Sequence, residues 1–291
     1  MIVVGPVESL LIGLAALVSG VLGGMLGMAG GIFIVPALTL GFGLDMTHAA
    51  GASLVSVIAC SCGSAASAME NRLTNVKLGV LLEIGTTLGA LTGVFLGDFL
   101  SESVLYLLFA AILLLSAHQM AVKRGADETT RDPGVPSDPW GTRLGLNSTY
   151  PDAIAGREVA YEVHRVGLGL ALMYGAGAMS SLLGIGSGVL KVPAMDAAMR
   201  LPIKVSSATS NFMIGVTATT SAGIYYARGD VLVEFAAPVA LGSLVGAYLG
   251  ARILMRTSSR RLRSLFIVVL LAIAARMFMT AIQGPTSVGR G

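Results

Sequence analysis

Charge is what this sequence most lacks. Of its 291 residues, 12% are Asp, Glu, Lys or Arg, about half the share of an ordinary soluble domain, and the mean hydropathy is +0.80. No Lys or Arg precedes Arg72, so the basic start of a cleavable secretion signal is missing. The two cysteines, Cys60 and Cys62, would point in different directions on a helix. A disulfide framework and a metal pair are therefore not expected, and both read as small helix residues. The three histidines, His48, His118 and His164, form no H-E-x-x-H, and no Walker A loop occurs. No cofactor, metal or direct ATP drive is implied. The net charge of +3 is too modest to suggest a nucleic-acid partner.

Long apolar runs are what the chain has instead. Eight stretches with almost no charge cover 9–44, 49–69, 78–97, 104–122, 166–190, 205–227, 231–251 and 265–275. Most reach the roughly 20 residues needed to span hydrocarbon. The expected fold class is an all-α polytopic membrane protein.

The chain also repeats itself. GMLGMAGGIFIVPALT at 24–39 has a twin, SLLGIGSGVLKVPAMD, at 181–196. Shifting by 157 sets Gly27, Gly31 and Pro36 over Gly184, Gly188 and Pro193, and Ser53 over Ser210. At a shift of 153, Gly89, Gly93 and Gly97 fall over Gly242, Gly246 and Gly250. These last rows, with glycine at every fourth place, read as helix-packing seams. The expected organisation is a transmembrane repeat at 1–122, a polar cytoplasmic connector at 123–164 and a second repeat at 165–291.

Loop charges give the orientation. In the first half the three loops carry none, two (Arg72, Lys77) and no Lys or Arg; in the second they carry two (Arg200, Lys204), one (Arg228) and five between 252 and 263. Because Lys and Arg mark cytoplasmic loops, the reversed pattern argues for inverted repeats. Four full crossings per half would make them parallel, so one segment in each half must fail to cross. The glycine-interrupted segment is the candidate: a re-entrant hairpin turning at 27–31 and at 184–188, or alternatively a long kinked helix.

A helix broken in lipid exposes backbone groups that protein, water or a ligand must satisfy. Short arms starting near Gly31 and Gly188 would aim N–H groups and helix dipoles at the membrane interior, a pattern that points to a transporter's substrate site. The candidate substrate-binding residues are Gly27, Gly30, Gly31, Gly184, Ser187, Gly188, Lys191, Ser53, Ser210 and Asn211. Lys191, standing where the first half has Ile34, is either a ligand-binding cation or a partner of Asp196 or a snorkelling side chain. The hydroxyls at 206–210 either face a solute or bond back to helix carbonyls. Glu83 and Arg276 lie inside apolar segments and either carry a coupling proton or pair structurally. His48 beside Asp45 reads as a surface pair.

The twinned glycine turn with its following proline (GMAGGIFIVPAL, GIGSGVLKVPAM) and the small-residue segment after it resemble the sulfite exporter TauE/SafE family, also called toluene sulfonate uptake permeases. The likeness covers nearly all of the chain outside 123–164. It implies a multi-pass carrier in the cytoplasmic membrane for sulfite or organosulfonates such as sulfoacetate, often an exporter, with the family motif on Gly27, Gly31, Pro36, Gly184, Gly188 and Pro193. The expected partners are a small anionic substrate and the lipid bilayer; nothing in the sequence fixes the oligomeric state. Two other classes compete. A passive anion channel would use the same backbone donors. An intramembrane hydrolase is disfavoured, because no histidine stands within an apolar segment near Ser187 to act as base.

Overall fold

The computed structural model describes residues 5–26, 30–70, 72–122, 138–152, 157–186, 188–254 and 259–283. It is a multi-pass, all-α membrane protein. Among the described residues, three helices contain stretches long and apolar enough to cross a bilayer alone, Pro6–Gly23, Val76–Gly97 and Val166–Leu183, and shorter apolar runs occur in others. Large apolar side chains such as Leu10, Ile84, Leu88, Leu241 and Val268 stand exposed on the outer surface, as expected where the solvent is lipid.

The first half runs α1 (Pro6–Leu26), α2 (Gly31–Pro36), α3 (Met46–Glu70), α4 (Val76–Gly97) and α5 (Glu102–Val122). A short α6 (Pro139–Arg143) and the strands β1 (Ser148–Asp152) and β2 (Arg157–Tyr161) follow. Then come α7 (Val166–Leu183), α8 (Gly188–Pro193), α9 (Ile203–Arg228), α10 (Val233–Leu254) and α11 (Ser259–Gln283). In both halves the proline that ends the short arm is followed by five residues of wide π turn, Ala37–Gly41 and Ala194–Ala198. Proline removes a helical N–H and its ring crowds the carbonyl four residues back; a widened turn is one way to relieve that crowding.

Distances decide between a kinked helix and a hairpin. In a continuous helix, residue 30 would lie about 16 Å beyond residue 19. Instead a β-carbon on Gly30 would lie 3.2 Å from the Ser19 carbonyl oxygen, so the chain has turned back between α1 and α2. In the second half the His164 N–H donates to the Met199 carbonyl at 3.2 Å. Eighteen residues of α7 lead inward by about 27 Å, yet α8 and its π turn bring the chain back beside the start of α7. Both glycine breaks are therefore hairpins.

The tightest packing crosses between the halves. α1 packs along α10, α4 along α7, α3 on α9 and α5 on α11. A β-carbon on Gly89 would collide with the Tyr174 carbonyl, one on Gly93 with that of Ala178, and one on Gly177 with that of Thr86. In the other seam a β-carbon on Gly242 would collide with the Gly13 carbonyl, one on Gly246 with that of Leu17, and one on Gly20 would lie 2.5 Å from the Ser243 carbonyl oxygen. At Gly89, Gly93, Gly242 and Gly246 the expected rows are packing seams in which one backbone rests directly on another, whereas Gly97 meets only the Leu182 side chain, at 3.5 Å, and the packing at Gly250 lies outside what is described.

The residues of the connector described here are held tightly at one end of the bundle. Asn75 caps α4 by accepting from the Leu78 N–H at 3.0 Å, and its amide donates to Leu146 O at 2.8 Å and Tyr161 Oη at 2.9 Å. Its backbone N–H donates to Thr209 Oγ1 at 3.0 Å. Burial raises the Tyr161 pKa, so this anchor stays protonated at neutral pH. Asp138 caps twice, accepting from the N–H groups of Trp140 (3.0 Å) and Val166 (2.7 Å). These ties gather Arg72, Lys77, Arg165, Arg200 and Lys204 at one end. At the other, Arg228 pairs with Asp98 at 2.8 Å over the Phe95 ring, and Gly51 packs against the Asp230 backbone. His48 Nδ1 lies 2.5 Å from Asp45 Oδ1, a half-exposed pair.

Gly89→Ala and Gly242→Ala should each destabilise the protein by about 1–3 kcal/mol, because the added methyl must displace a facing carbonyl. Gly175→Ala and Gly223→Ala, with nothing within 4 Å of the new atom, should be neutral or slightly stabilising, since alanine favours helix. Thermal unfolding of the four variants in detergent checks the contrast; equal behaviour of both pairs would remove the seams as a source of stability.

Candidate functional site

The second hairpin turn needs glycine for two reasons. Gly184 ends α7 at φ +65°, a left-handed conformation that side chains resist, and a β-carbon there would lie 2.5 Å from the Ala50 Cα. The turn is tied to α3 by Ser53, whose hydroxyl donates to the Gly184 carbonyl at 2.8 Å. Gly31, the first residue of α2, abuts the same turn: its β-carbon would sit 2.6 Å from Gly184 O and 2.9 Å from the Ile185 carbonyl carbon. The two hairpins thus meet backbone to backbone, and at this point of contact no solute fits between them. Gly30 is buried beside them, and its carbonyl accepts from the Phe33 and Ile34 N–H groups.

Three residues beyond Gly188, the buried arm α8 carries Lys191. Among the described residues, Lys191 and Glu83 are the only Lys, Arg, Asp or Glu side chains that are buried, at 0% and 7% exposure. Lys191 Nζ donates to Thr217 Oγ1 at 2.7 Å and stands 3.6 Å from Glu83 Oε2. The Thr217 hydroxyl in turn donates to Glu83 Oε1 at 2.6 Å, and Thr87 approaches the same oxygen at 3.4 Å. Glu83 Oε2 has no hydrogen-bond partner. Glu83 lies seven residues into α4, about 10 Å along its axis. Three helices, α4, α8 and α9, thus place one ammonium, one hydroxyl and one carboxylate together in the buried interior.

The face of α9 that carries Thr217 also carries Ser206 and Ser210, at helical spacings of four and seven residues. Both serines are fully buried and neither hydroxyl has a hydrogen-bond partner. Buried polar groups usually find partners, so this face holds unused hydrogen-bonding capacity. Asn211 is half-buried one position round the helix.

The structure joins two residues that the sequence offers for separate roles, Lys191 and Glu83, and gives Lys191 a partner other than Asp196. It sets Arg276 apart: that side chain is exposed on α11, which packs chiefly on α5. Gly188 is buried at the start of α8. Gly27 and Ser187 lie outside the described residues. Sequence reasoning missed Thr217. Its only signal was spacing, seven residues after Ser210 and four before Ser221 on one helix face.

A family model described as Sulfite exporter TauE/SafE matches residues 12–277. The probable membrane transporter protein YunE of Bacillus subtilis is 26% identical over 273 residues, covering 91% of this chain and 96% of YunE. The probable membrane transporter protein YdhB of the same organism is 26% identical over 244 residues, 84% of this chain and 89% of YdhB. The probable membrane transporter protein MamO of Magnetospirillum gryphiswaldense is 25% identical over 289 residues, 92% of this chain but 44% of MamO. No solved structure matches.

Removing one member of a buried ion pair strands the other, at a cost of about 3–5 kcal/mol, whereas replacing both with apolar residues is often neutral. Lys191→Met and Glu83→Leu should each lower stability by that amount, and the double variant should recover most of it. Unfolding measurements on all four proteins give the coupling; additive losses would mean that the two charges do not support one another.

Proposed function

This chain belongs to the sulfite exporter TauE/SafE family, and we propose that it is a secondary carrier that exports sulfite or small organosulfonates across the cytoplasmic membrane. The family and its relatives make the chain a membrane transporter rather than an enzyme. The observation that carries the substrate class is Lys191. An ammonium buried with one carboxylate and one hydroxyl, on a face of α9 that carries two further unpartnered hydroxyls, suits an anion whose oxygens accept several hydrogen bonds. In this reading Lys191 and Thr217 hold the solute, Ser210, Asn211 and Ser206 line its path about 10–16 Å further back along α9, and Gly188 begins the arm that carries Lys191. Gly30, Gly184 and Ser53 fix the turns in place.

We read the two halves as inverted repeats, with the connector side cytoplasmic. Supporting this are the same order of elements in each half, the exchanged packing of α1 on α10 and α4 on α7, and the cations gathered beside Asn75. Alternating access then moves seam-bound helix pairs, because a rocking of 1–122 against 165–291 would part the glycine seams. The direct contact of Gly31 with the Gly184–Ile185 backbone supports a carrier over an open channel.

The test is flux into proteoliposomes. Sulfite or sulfoacetate uptake should saturate and be driven by counterflow of unlabelled substrate. The Lys191→Gln/Glu83→Gln double variant, which keeps the pair neutral, should bind at least tenfold more weakly by calorimetry, in line with the loss of one charged hydrogen bond. Flux that rises linearly with concentration and shows no counterflow would replace the carrier with a channel.

A further inference from the structure

Among the described residues, the buried pair has one ammonium and one carboxylate, and they leave one acceptor atom unused. Oε1 of Glu83 is occupied by the Thr217 hydroxyl, while Oε2 faces Lys191 at 3.6 Å without a hydrogen bond. In the empty protein the carboxylate therefore acts as a resident anion for Lys191. We propose that Glu83 is the coupling residue: a substrate anion takes over Lys191 only when Glu83 accepts a proton on Oε2, so one proton moves with each anion, and the balance is neutral for a monovalent one. This rests on the carrier reading above.

The argument is one of charge. Before binding, Lys191⁺ and Glu83⁻ sum to zero. If a monovalent anion entered beside an ionised Glu83, the buried site would hold one net negative charge, which burial strongly penalises. Protonation of Oε2 restores zero: the ammonium keeps its own protons, its N–H groups turn to the solute's oxygens, and the new carboxylic acid proton comes from the compartment to which the site is open. Empty and loaded forms are then both neutral, and either can reorient without carrying charge through the bilayer. Export would thus be a symport of anion and proton, and its reversal would bring both back together.

No other ionisable group competes for this role among the described residues. On α7, which packs along α4, Arg165 stands at the helix start and the Tyr174 ring is exposed. On α9, Lys204 is near the helix start, Tyr225 donates to the Ser181 carbonyl at 3.1 Å, the Tyr226 ring is exposed, and Arg228 is engaged with Asp98. On α8 the charged group is Lys191 itself.

The probe is methanesulfonate, a strong acid's anion that brings no proton of its own. In the intact protein its binding, followed in weakly buffered detergent with a pH indicator, should take up close to one proton per anion. Its Kd should rise tenfold per pH unit once Glu83 is ionised in the empty protein. In proteoliposomes the uptake should be insensitive to membrane potential and accompanied by internal acidification. Glu83→Gln should bind without proton uptake, lose the pH dependence and make transport potential-sensitive. Wild-type uptake of methanesulfonate with no proton and with a response to potential would overturn the coupling role while leaving the carrier intact. Absence of flux for methanesulfonate, sulfite and sulfoacetate alike would overturn the carrier reading, and this proposal with it. The wild-type proton count decides the matter even if Glu83→Gln does not fold.

Discussion

In the α1–α10 and α4–α7 seams, a helix approaches its neighbour until the place of a missing methyl is filled by the other's carbonyl. Between helices in lipid, burial of apolar surface supplies little drive, so close packing must hold the bundle together. Gly20, Gly242 and Gly246 do this on one side, and Gly85, Gly89, Gly93 and Gly177 on the other. The same device places Gly31 on Gly184 at the meeting of the hairpins. Only because these backbones touch can α4, α8 and α9 converge closely enough for Lys191, Thr217 and Glu83 to share one buried site. Lys191, on α8, is neutralised by Glu83 on α4, a residue 108 positions away in sequence.

Much of this was legible in the residues. The apolar runs gave the spans, and the twinned glycine-proline stretches marked the breaks, which length and loop charge together turned into hairpins. The fourfold glycine spacing announced the seams. What could not be read was which seam joins which helix, since Gly89 and Gly242 carry no mark of Tyr174 or Gly13. Lys191 and Glu83 stood out singly, because a charge inside an apolar run is conspicuous in any alphabet. Their pairing and the bridging hydroxyl of Thr217 depend on the convergence of three helices, and threonine in a membrane helix is commonplace. The fold of the connector was hidden for another reason. Its anchor, Asn75, lies in a different loop, and the short segments around 148–161 have too little periodicity to declare a hairpin.

The geometry also changes what is meant by a half. By sequence the units are 1–122 and 165–291; by contact they are pairs drawn from both. Asn75 binds the start of α4, the connector strand and the start of α9 into one corner, and the Asp98–Arg228 pair joins α4 and α9 again at the far end. α4 is therefore fastened to α7 along its length and to α9 at both tips. Motion that leaves these fastenings intact carries α4, α7 and α9 together and shears them past α1 and α10, with the hairpin tips at the sliding boundary.

The exchanged seams bear on how the protein is made. As the ribosome delivers the chain, α1 and α4 enter the membrane long before α10 and α7 exist, and their glycine rows have nothing to lie against. Through synthesis of α5 and the connector, the early helices must stay loosely associated or be shielded by insertion machinery. Stable assembly waits for α7, which closes the first seam, and is completed only when α10 arrives. The amino-terminal portion thus resembles one strand of a clasp, whose shape has no purchase until the other strand is threaded through it.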